Sequence, residues 1–326
     1  MPKSVDDYVA ENSKRIRNID GRFVQVDSNR SRDLSFGSNF FNVTVEVEVY
    51  RRSTGDQIVF GHPAASKGFG RGTFGDDRGA WSLVTDTEAS ADFTKQGRRA
   101  AAEALDGQEG AVAEGAIGGD TTAVSTEDTA LGQEFDRADT FASRSANTTR
   151  TTTLFGSTDV VAQPGELGIF DANDRLLARV TVDIPDGTVD DTDEVRGVVL
   201  LTFEGSGNGN AVVTSEGENA LADSIRSPKV SVGPTEYAFG DGDTDFSKSD
   251  TSLTSEVIRK NSGREVGRDR IESFTRLSET DMNGISVDIS EAGLFDNDGR
   301  MIWATTFRAI QSDSPGFNTS TTIVVS

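Results

Sequence analysis

The clearest hydrophobic alternation in the chain lies at residues 40–50. Val43, Val45, Val47 and Val49 point one way, and Thr44, Glu46, Glu48 and Tyr50 the other. A period of two built from β-branched residues predicts a half-buried antiparallel strand. Ser53-Thr54-Gly55-Asp56 reads as a turn, Gln57-Ile58-Val59-Phe60 as the returning hairpin partner, and Trp81-Ser82-Leu83-Val84 as a further strand. Ahead of them, residues 1 to about 20 read as a short polar helix ending in an Asp20-Gly21 turn, and residues 61–80 are Gly-rich and irregular. Residues 1–90 are therefore expected to form a small N-terminal β domain.

Beyond residue 90 one pattern is written twice. Thr94, Gly97, Ala100 and Ala102 recur as Thr214, Gly217, Ala220 and Ala222, and Leu105 is replaced by Ile225. Ala116, Gly118, Thr122, Asp128, Thr129, Leu131, Glu134 and Arg137 recur as Ala238, Gly240, Thr244, Asp250, Thr251, Leu253, Glu256 and Arg259. Glu166-Leu167-Gly168-Ile169-Phe170-Asp171 recurs as Glu291-Ala292-Gly293-Leu294-Phe295-Asp296, followed by Arg175 and Arg300. Matches that stay in register over three blocks mark an internal duplication.

Each copy opens with a helix, at about 92–106 and 214–226, Ala-rich in the first copy. The Asp-Thr-x-Leu-x-x-Glu segment that follows fits either a short helix or a strand entry. Thr-rich strands come next, Thr148–Phe155 in the first copy, and then the Glu-x-Gly-[Ile/Leu]-Phe-Asp strand. Turns at Ala172-Asn173-Asp174 and Asn297-Asp298-Gly299 carry residues that tolerate positive φ, a hairpin signal. Leu176, Ala178, Val180 and Val182 line one face of the partner strand; Val195, Val199, Leu201 and Phe203 line one face of the last. The fold class expected is mainly β: the N-terminal domain, then two homologous antiparallel β-sandwich or barrel domains at 91–206 and 211–326, each opened by one helix. The Gly-rich stretch Gly205–Asn210 reads as the linker between them.

Charge changes the picture next. The 326 residues carry a net charge of −22, and only seven of the 32 cations are Lys. Nineteen Phe and the periodic runs argue for a folded chain and against an acidic disordered one. We read the surface as adapted to very high salt, where the Debye length falls to about 3 Å and surface carboxylates stop repelling over distance, with an ordinary acidic mesophilic protein as the alternative. The protein is then expected to lose its fold or assembly when salt is removed. Cysteine is absent, which excludes disulfides and thiolate metal sites. No apolar run reaches membrane-span length and the first residues lack an apolar signal core, so the protein is expected to be made and kept in the cytoplasm, or to leave the cell by another route such as inside a virus particle, without membrane insertion. With no Lys/Arg stripe to offset the charge, nucleic acid is not an expected partner. The pairs Arg51-Arg52 and Arg98-Arg99 read as solvated charges.

Candidate chemistry is thin. Gly70-Arg71-Gly72-Thr73-Phe74-Gly75 matches the dinucleotide pattern G-x-G-x-x-G but has no strand before it or helix after it, so it reads as a loop. Asp241, Asp243 and Asp245 have calcium-loop spacing, yet Phe246 and Ser252 stand where an EF-hand needs Gly and Glu. That loop and Asp190-Asp191-Thr192-Asp193-Glu194 read as solvated acidic loops, with Ca²⁺ or Mg²⁺ binding as the alternative. His62 is the single histidine and lacks the partners of a zinc site; no G-x-S-x-G elbow accompanies it as part of a triad. The repeated carboxylates Glu166, Glu291, Asp171 and Asp296 read as backbone-bonding and turn-forming groups rather than as acid–base catalysts, with Arg175 and Arg300 placed to pair with them. Asn29, Asn42, Asn147 and Asn318 begin N-x-[Ser/Thr] sequons and read as surface-loop positions. The sequence therefore assigns no catalytic, cofactor or metal residue.

Taken in order, Thr-x-x-Gly-[Arg/Glu]…Ala-x-x-[Leu/Ile], a Gly/Thr loop, Asp-Thr-x-Leu-x-x-Glu and Glu-x-Gly-[Ile/Leu]-Phe-Asp-x-x-x-Arg resemble modules of tail-fibre and related virion proteins of tailed bacterial and archaeal viruses. The resemblance covers about 92–183 and 212–308; the first 90 residues match no module we can name, and the second copy departs from the pattern at Asp241 and Thr254. It implies a helix ahead of a β-sandwich whose core holds the Glu-x-Gly-Leu-Phe strand. With the acidic surface, it implies a virion structural protein of a haloarchaeal tailed virus and no enzymatic activity. The implied appendage is a tail fibre, baseplate part or capsid-vertex turret. Implied partners are the chain itself in a cyclic homo-oligomer, other virion proteins through the N-terminal domain, and a host cell-surface receptor or glycan. Two other readings stand beside it, a cell-surface adhesin of a halophile and an enzyme on surface glycans carrying these domains as accessory modules.

Overall fold

The structure, a computed structural model, describes residues 32–53, 82–85, 91–106, 110–156, 163–184, 189, 193–207, 209–227, 233–312 and 316–325. The N-terminal helix, the Gln57–Phe60 strand, His62, the Gly70–Gly75 loop and Asp190–Thr192 lie outside these residues, as does the sequon at Asn29. The described residues are mainly β, in one sheet of twelve strands and one of five, with three helices.

The alternation at 40–50 belongs to a long strand, β1 (Arg32–Ser53), followed by the short β2 (Ser82–Thr85) at its upper end. The first copy then runs β3 (Ala91–Phe93), helix α1 (Lys95–Leu105), β4 (Val112–Gly118), β5 (Glu134–Ser145), β6 (Thr148–Phe155), β7 (Glu166–Asp171), β8 (Leu176–Thr181) and β9 (Asp193–Ser206). The second copy runs β10 (Ala211–Val213), α2 (Ser215–Arg226), β11 (Pro234–Gly240), β12 (Glu256–Asn261), β13 (Gly263–Val266), β14 (Arg270–Ser278), α3 (Glu279–Asn283), β15 (Ile289–Asp296), β16 (Met301–Ile310) and β17 (Gly316–Val325). The segment left open between helix and strand is a turn entering β5 or β12 at Glu134 or Glu256.

The copies share topology as well as sequence. β4 pairs with β5 and β7, and β11 with β12 and β15; β8 lies between β7 and β3, and β16 between β15 and β10. Register repeats too: Gly118 faces Glu166 and Ala116 faces Gly168, as Gly240 faces Glu291 and Ala238 faces Gly293. Each helix starts from a threonine N-cap, whose hydroxyl accepts from Gly97 N at 2.9 Å in α1 and from Gly217 N at 3.1 Å in α2. The same hydroxyls donate to the carbonyls of Leu176 and Met301, which ties each helix start to its own β8 or β16. The two hairpin turns need a left-handed residue, supplied by Asp174 (φ 61°) in one copy and Gly299 (φ 77°) in the other. One difference shapes the sheets. In the first copy β5 is unbroken; in the second its counterpart breaks at Ser262, whose N–H donates to Thr235 O at 2.8 Å, giving β12 and β13.

The copies interlock. Helix α1 packs on its own β8 and also on β14 and β17 of the second copy; α2 packs on its own β16 and on β5, β6 and β9 of the first. Thr149 Oγ1 donates to Ala222 O at 2.7 Å, and Arg144 pairs with Asp223 at 2.7 Å, both across this junction. Strand β1 lies between β9 and β17, antiparallel to β9 over Phe40–Ser53 and parallel to β17 over Arg32–Phe41. Thus β9 and β17 run in opposite directions, as elements related by a two-fold axis do. A single core joins Phe41 and Val47 of β1 with Leu105, Phe155 and Phe203 of the first copy and Leu221, Tyr237 and Trp303 of the second. Pairing and core both cross the expected boundaries at residues 90 and 206–211.

Candidate functional site

The strongest polar constellation in the described residues is built around the repeated carboxylates. Glu166 begins β7 and is fully buried; it accepts from Gly132 N at 3.1 Å and Gln133 N at 2.8 Å. Glu291 begins the matching stretch of β15, equally buried, and accepts from Thr254 N at 3.2 Å and Ser255 N at 2.8 Å. Each carboxylate, itself buried, thus finds its hydrogen bonds in two backbone donors of the exposed turn that leads into β5 or β12. The facing residues are glycines because a Cβ on Gly118 or Gly240 would overlap the carbonyl oxygen of Gln133 or Ser255 and the carboxylate opposite.

The two nodes diverge at one position. In the first copy Arg179, on β8, reaches Glu166 at 2.8 Å, Asp128 at 2.9 Å and Asp120 at 3.0 Å. Burial works against its charge, but these acids hold the guanidinium above its ordinary pKa. The register puts Ala304 at this place in the second copy, and Phe246 packs there with Ala304, Leu253, Phe295 and Met301. An ion-pair cluster in one copy is an apolar plug in the other, and both copies keep the carboxylate–backbone bonds. The Asp-centred turns repeat more closely. Asp171 accepts from Asn173 N at 3.0 Å and Arg175 N at 2.9 Å, and its other oxygen takes Arg175 Nε at 2.7 Å. Asp296 does the same with Asp298 N, Arg300 N and Arg300 Nε at 2.9, 2.8 and 2.7 Å. Arg137 lies 3.7 Å over the Phe170 ring and Arg259 4.0 Å over Phe295. Arg175 also bonds Glu103 at 2.6 Å; burial opposes it, yet Arg99 and Arg175 keep the Glu103 carboxyl below the usual carboxylate range.

Asp241, Asp243 and Asp245 are exposed, and Asp245 accepts from Thr306 Oγ1 at 3.2 Å. Among the described residues no three His, Asp or Glu side chains converge as metal ligands would. Of the second acidic run, Asp193 is buried and Glu194 partly exposed, and both are paired: they bond Arg51 at 3.3 Å and Arg52 Nε at 2.7 Å across β1 and β9. The Arg51-Arg52 pair is corrected with them, and Arg99 pairs with Glu103 at 2.8 Å. Two sequons are corrected as well. Asn42 and Asn318 sit within β1 and β17 rather than in loops, and Asn147, in the β5–β6 turn, donates its amide to Phe203 O at 2.8 Å. An open cleft of about 700 Å³ lies between the end of α1 and the β13–β14 hairpin, lined by Arg99, Glu103, Asp106, Asn173, Val266 and Arg268.

Arg179 was the residue that sequence reasoning passed over. Its signal was present: one cation in the otherwise apolar run Leu176-Leu177-Ala178-Arg179-Val180, which only a buried counter-charge makes tolerable. Among the described residues no helix is long and apolar enough to cross a membrane. Compared with known proteins, the chain matches no protein-family model, no curated protein and no solved structure.

Proposed function

We propose that the protein is a virion structural protein of a tailed virus infecting salt-loving archaea, assembled as a symmetric surface appendage. The observation that carries this reading is the use made of the repeated polar residues. In both copies the buried Glu and Asp bond backbone N–H groups or guanidiniums, and the duplicated elements pack into one another's cores. Such a chain is building material: the duplication makes surface, and a homo-oligomer multiplies it. Multivalent display makes weak single contacts to a host receptor or glycan sufficient for attachment. In this reading residues 1–90 supply the contact with other virion proteins. The net charge of −22 suits a particle that assembles and persists in molar salt.

The test is to place the chain in a cryo-microscopy map of particles purified in high salt. The expected outcome is density for symmetric copies at the tail tip, baseplate or capsid vertex. A well-folded monomer that copurifies with no particle refutes the proposal.

A further inference from the structure

Strand β1 is foreign to the duplication, yet it completes both copies. Across β9 it is in register from Phe40↔Ser206 to Ser53↔Asp193, and across β17 it pairs from Arg32↔Phe317 to Phe41↔Val325 with a register shift between Ser35 and Ser38. β9 and β17 are the last strands of their copies; their other edges are taken by β6 and β14. Removing β1 would leave two rows of unpaired backbone N–H and C=O groups facing a gap one strand wide, the feature to which extended segments add.

The gap is specific for its occupant. On the inner face Phe41, Val47 and Val49 are at most 2% exposed and join the common core. Charge pins the register too: on the other face Glu48 meets Arg150 at 3.5 Å and Arg52 Nε meets Glu194 at 2.7 Å, and at the end of the inner face Arg51 meets the buried Asp193 at 3.3 Å. A shift by one residue would bury Glu46 or Glu48 and break all three pairs. The segment that fits is therefore β1 of this chain or of a copy of it.

We propose that β9 and β17 form a strand-acceptor site, and that β1 of one copy fills the site of another, so that strand exchange is the contact joining copies. Within one chain β1 is held by the same β9 and β17 pairs it would make in a second chain, so exchange conserves those contacts at the entropic cost of association. Both halves of the sheet benefit from a filled site, which makes an empty one the aggregation-prone state. The proposal deepens the reading of the protein as a self-assembling component, from which it takes the second copy as occupant.

The absence of cysteine makes the test clean. Glu46 faces Leu200 and Thr44 faces Thr202 across β1 and β9. Two full-length double variants, Glu46→Cys/Leu200→Cys and Thr44→Cys/Thr202→Cys, are oxidised in high salt, run on non-reducing gels, and compared with the four single variants. Mass photometry of the unmodified protein gives its assembly state independently. Exchange predicts covalent species at twice 34.8 kDa and above in both double variants, absent from the single ones. A disulfide that closes only within one chain overturns it. If mass photometry still shows an oligomer, copies meet elsewhere and the structural role stands; if it shows a monomer, that role falls too. Failure of both pairs to cross-link overturns the β1–β9 site itself.

Discussion

Replacing Arg179 by alanine gives the first copy the residue the second copy already has at that place. The side chain is 4% exposed and bonds Glu166, Asp128 and Asp120 at 2.8–3.0 Å. Removing one partner of a buried ion pair costs about 3–5 kcal/mol. The lower end applies here, because Glu166 keeps its bonds to Gly132 N and Gln133 N, as Glu291 keeps those to Thr254 N and Ser255 N. We expect a loss of about 3 kcal/mol for Arg179→Ala on that scale. The second copy also supplies a remedy. Phe246 fills the space beside Ala304, and Val124 is its counterpart in the first copy. Burying a Phe side chain contributes roughly 1.5–3 kcal/mol, so Arg179→Ala/Val124→Phe should recover about 1–2 kcal/mol of the loss. Urea unfolding in molar salt, followed by circular dichroism, reads both numbers as midpoint shifts at constant slope. A loss under about 1 kcal/mol for the single variant would show that the cluster adds no net stability. A double variant no better than the single would show that the two packings are not interchangeable.

Three further outcomes follow from the same contacts. Gly97→Ala raises helix propensity by about 1 kcal/mol but drives a Cβ into the carbonyl oxygen of Leu177. Overpacking against a backbone atom outweighs that gain, so the variant should be destabilised by about 1–2 kcal/mol in the same unfolding assay, and Gly217→Ala likewise against Ile302 O. Asp281 bonds Lys260 and caps α3 through Ser278, and the Lys260 ammonium above all holds its carboxyl down to about 2. Its folded value is depressed, so its contribution is complete above the unfolded value of about 3.9 and is lost as pH falls through about 2. Asp281→Asn should therefore lower stability at neutral pH and flatten the acid limb between those values, as read by unfolding midpoints against pH. Finally, dialysis into dilute buffer should reduce the dichroism signal or oligomer size, since 54 acidic residues then repel over a longer Debye length; unchanged signals would refute the salt-adaptation reading.

Much of the local structure was legible because it follows from short-range rules. Alternating valines marked β1, the alanine-rich run marked α1, and Asn-Asp-Gly marked the β15–β16 turn. The role of Glu166 and Asp171 was readable in kind, since a carboxylate beside a turn binds its free N–H groups. The partner of Glu166 was not, because Arg179 is thirteen residues away in sequence and meets it only once β7 and β8 pair. The ion pairs of Arg51 and Arg52 were invisible for the same reason: their acids lie 142 residues further on.

By itself, the amino-acid sequence determined that this is a duplicated, mainly β protein with an acidic surface and two equivalent helix starts, because periodicity, capping and charge are properties of neighbouring residues. Only the tertiary structure decided that the two copies are locked together by helices that pack on both copies and by β1 lying between β9 and β17. A strand's alternation says which of its faces is buried, but its edge hydrogen bonds come from backbone groups that every residue carries alike. Which strand lies beside β1 is settled by which set of distant apolar faces and ion pairs closes the common core.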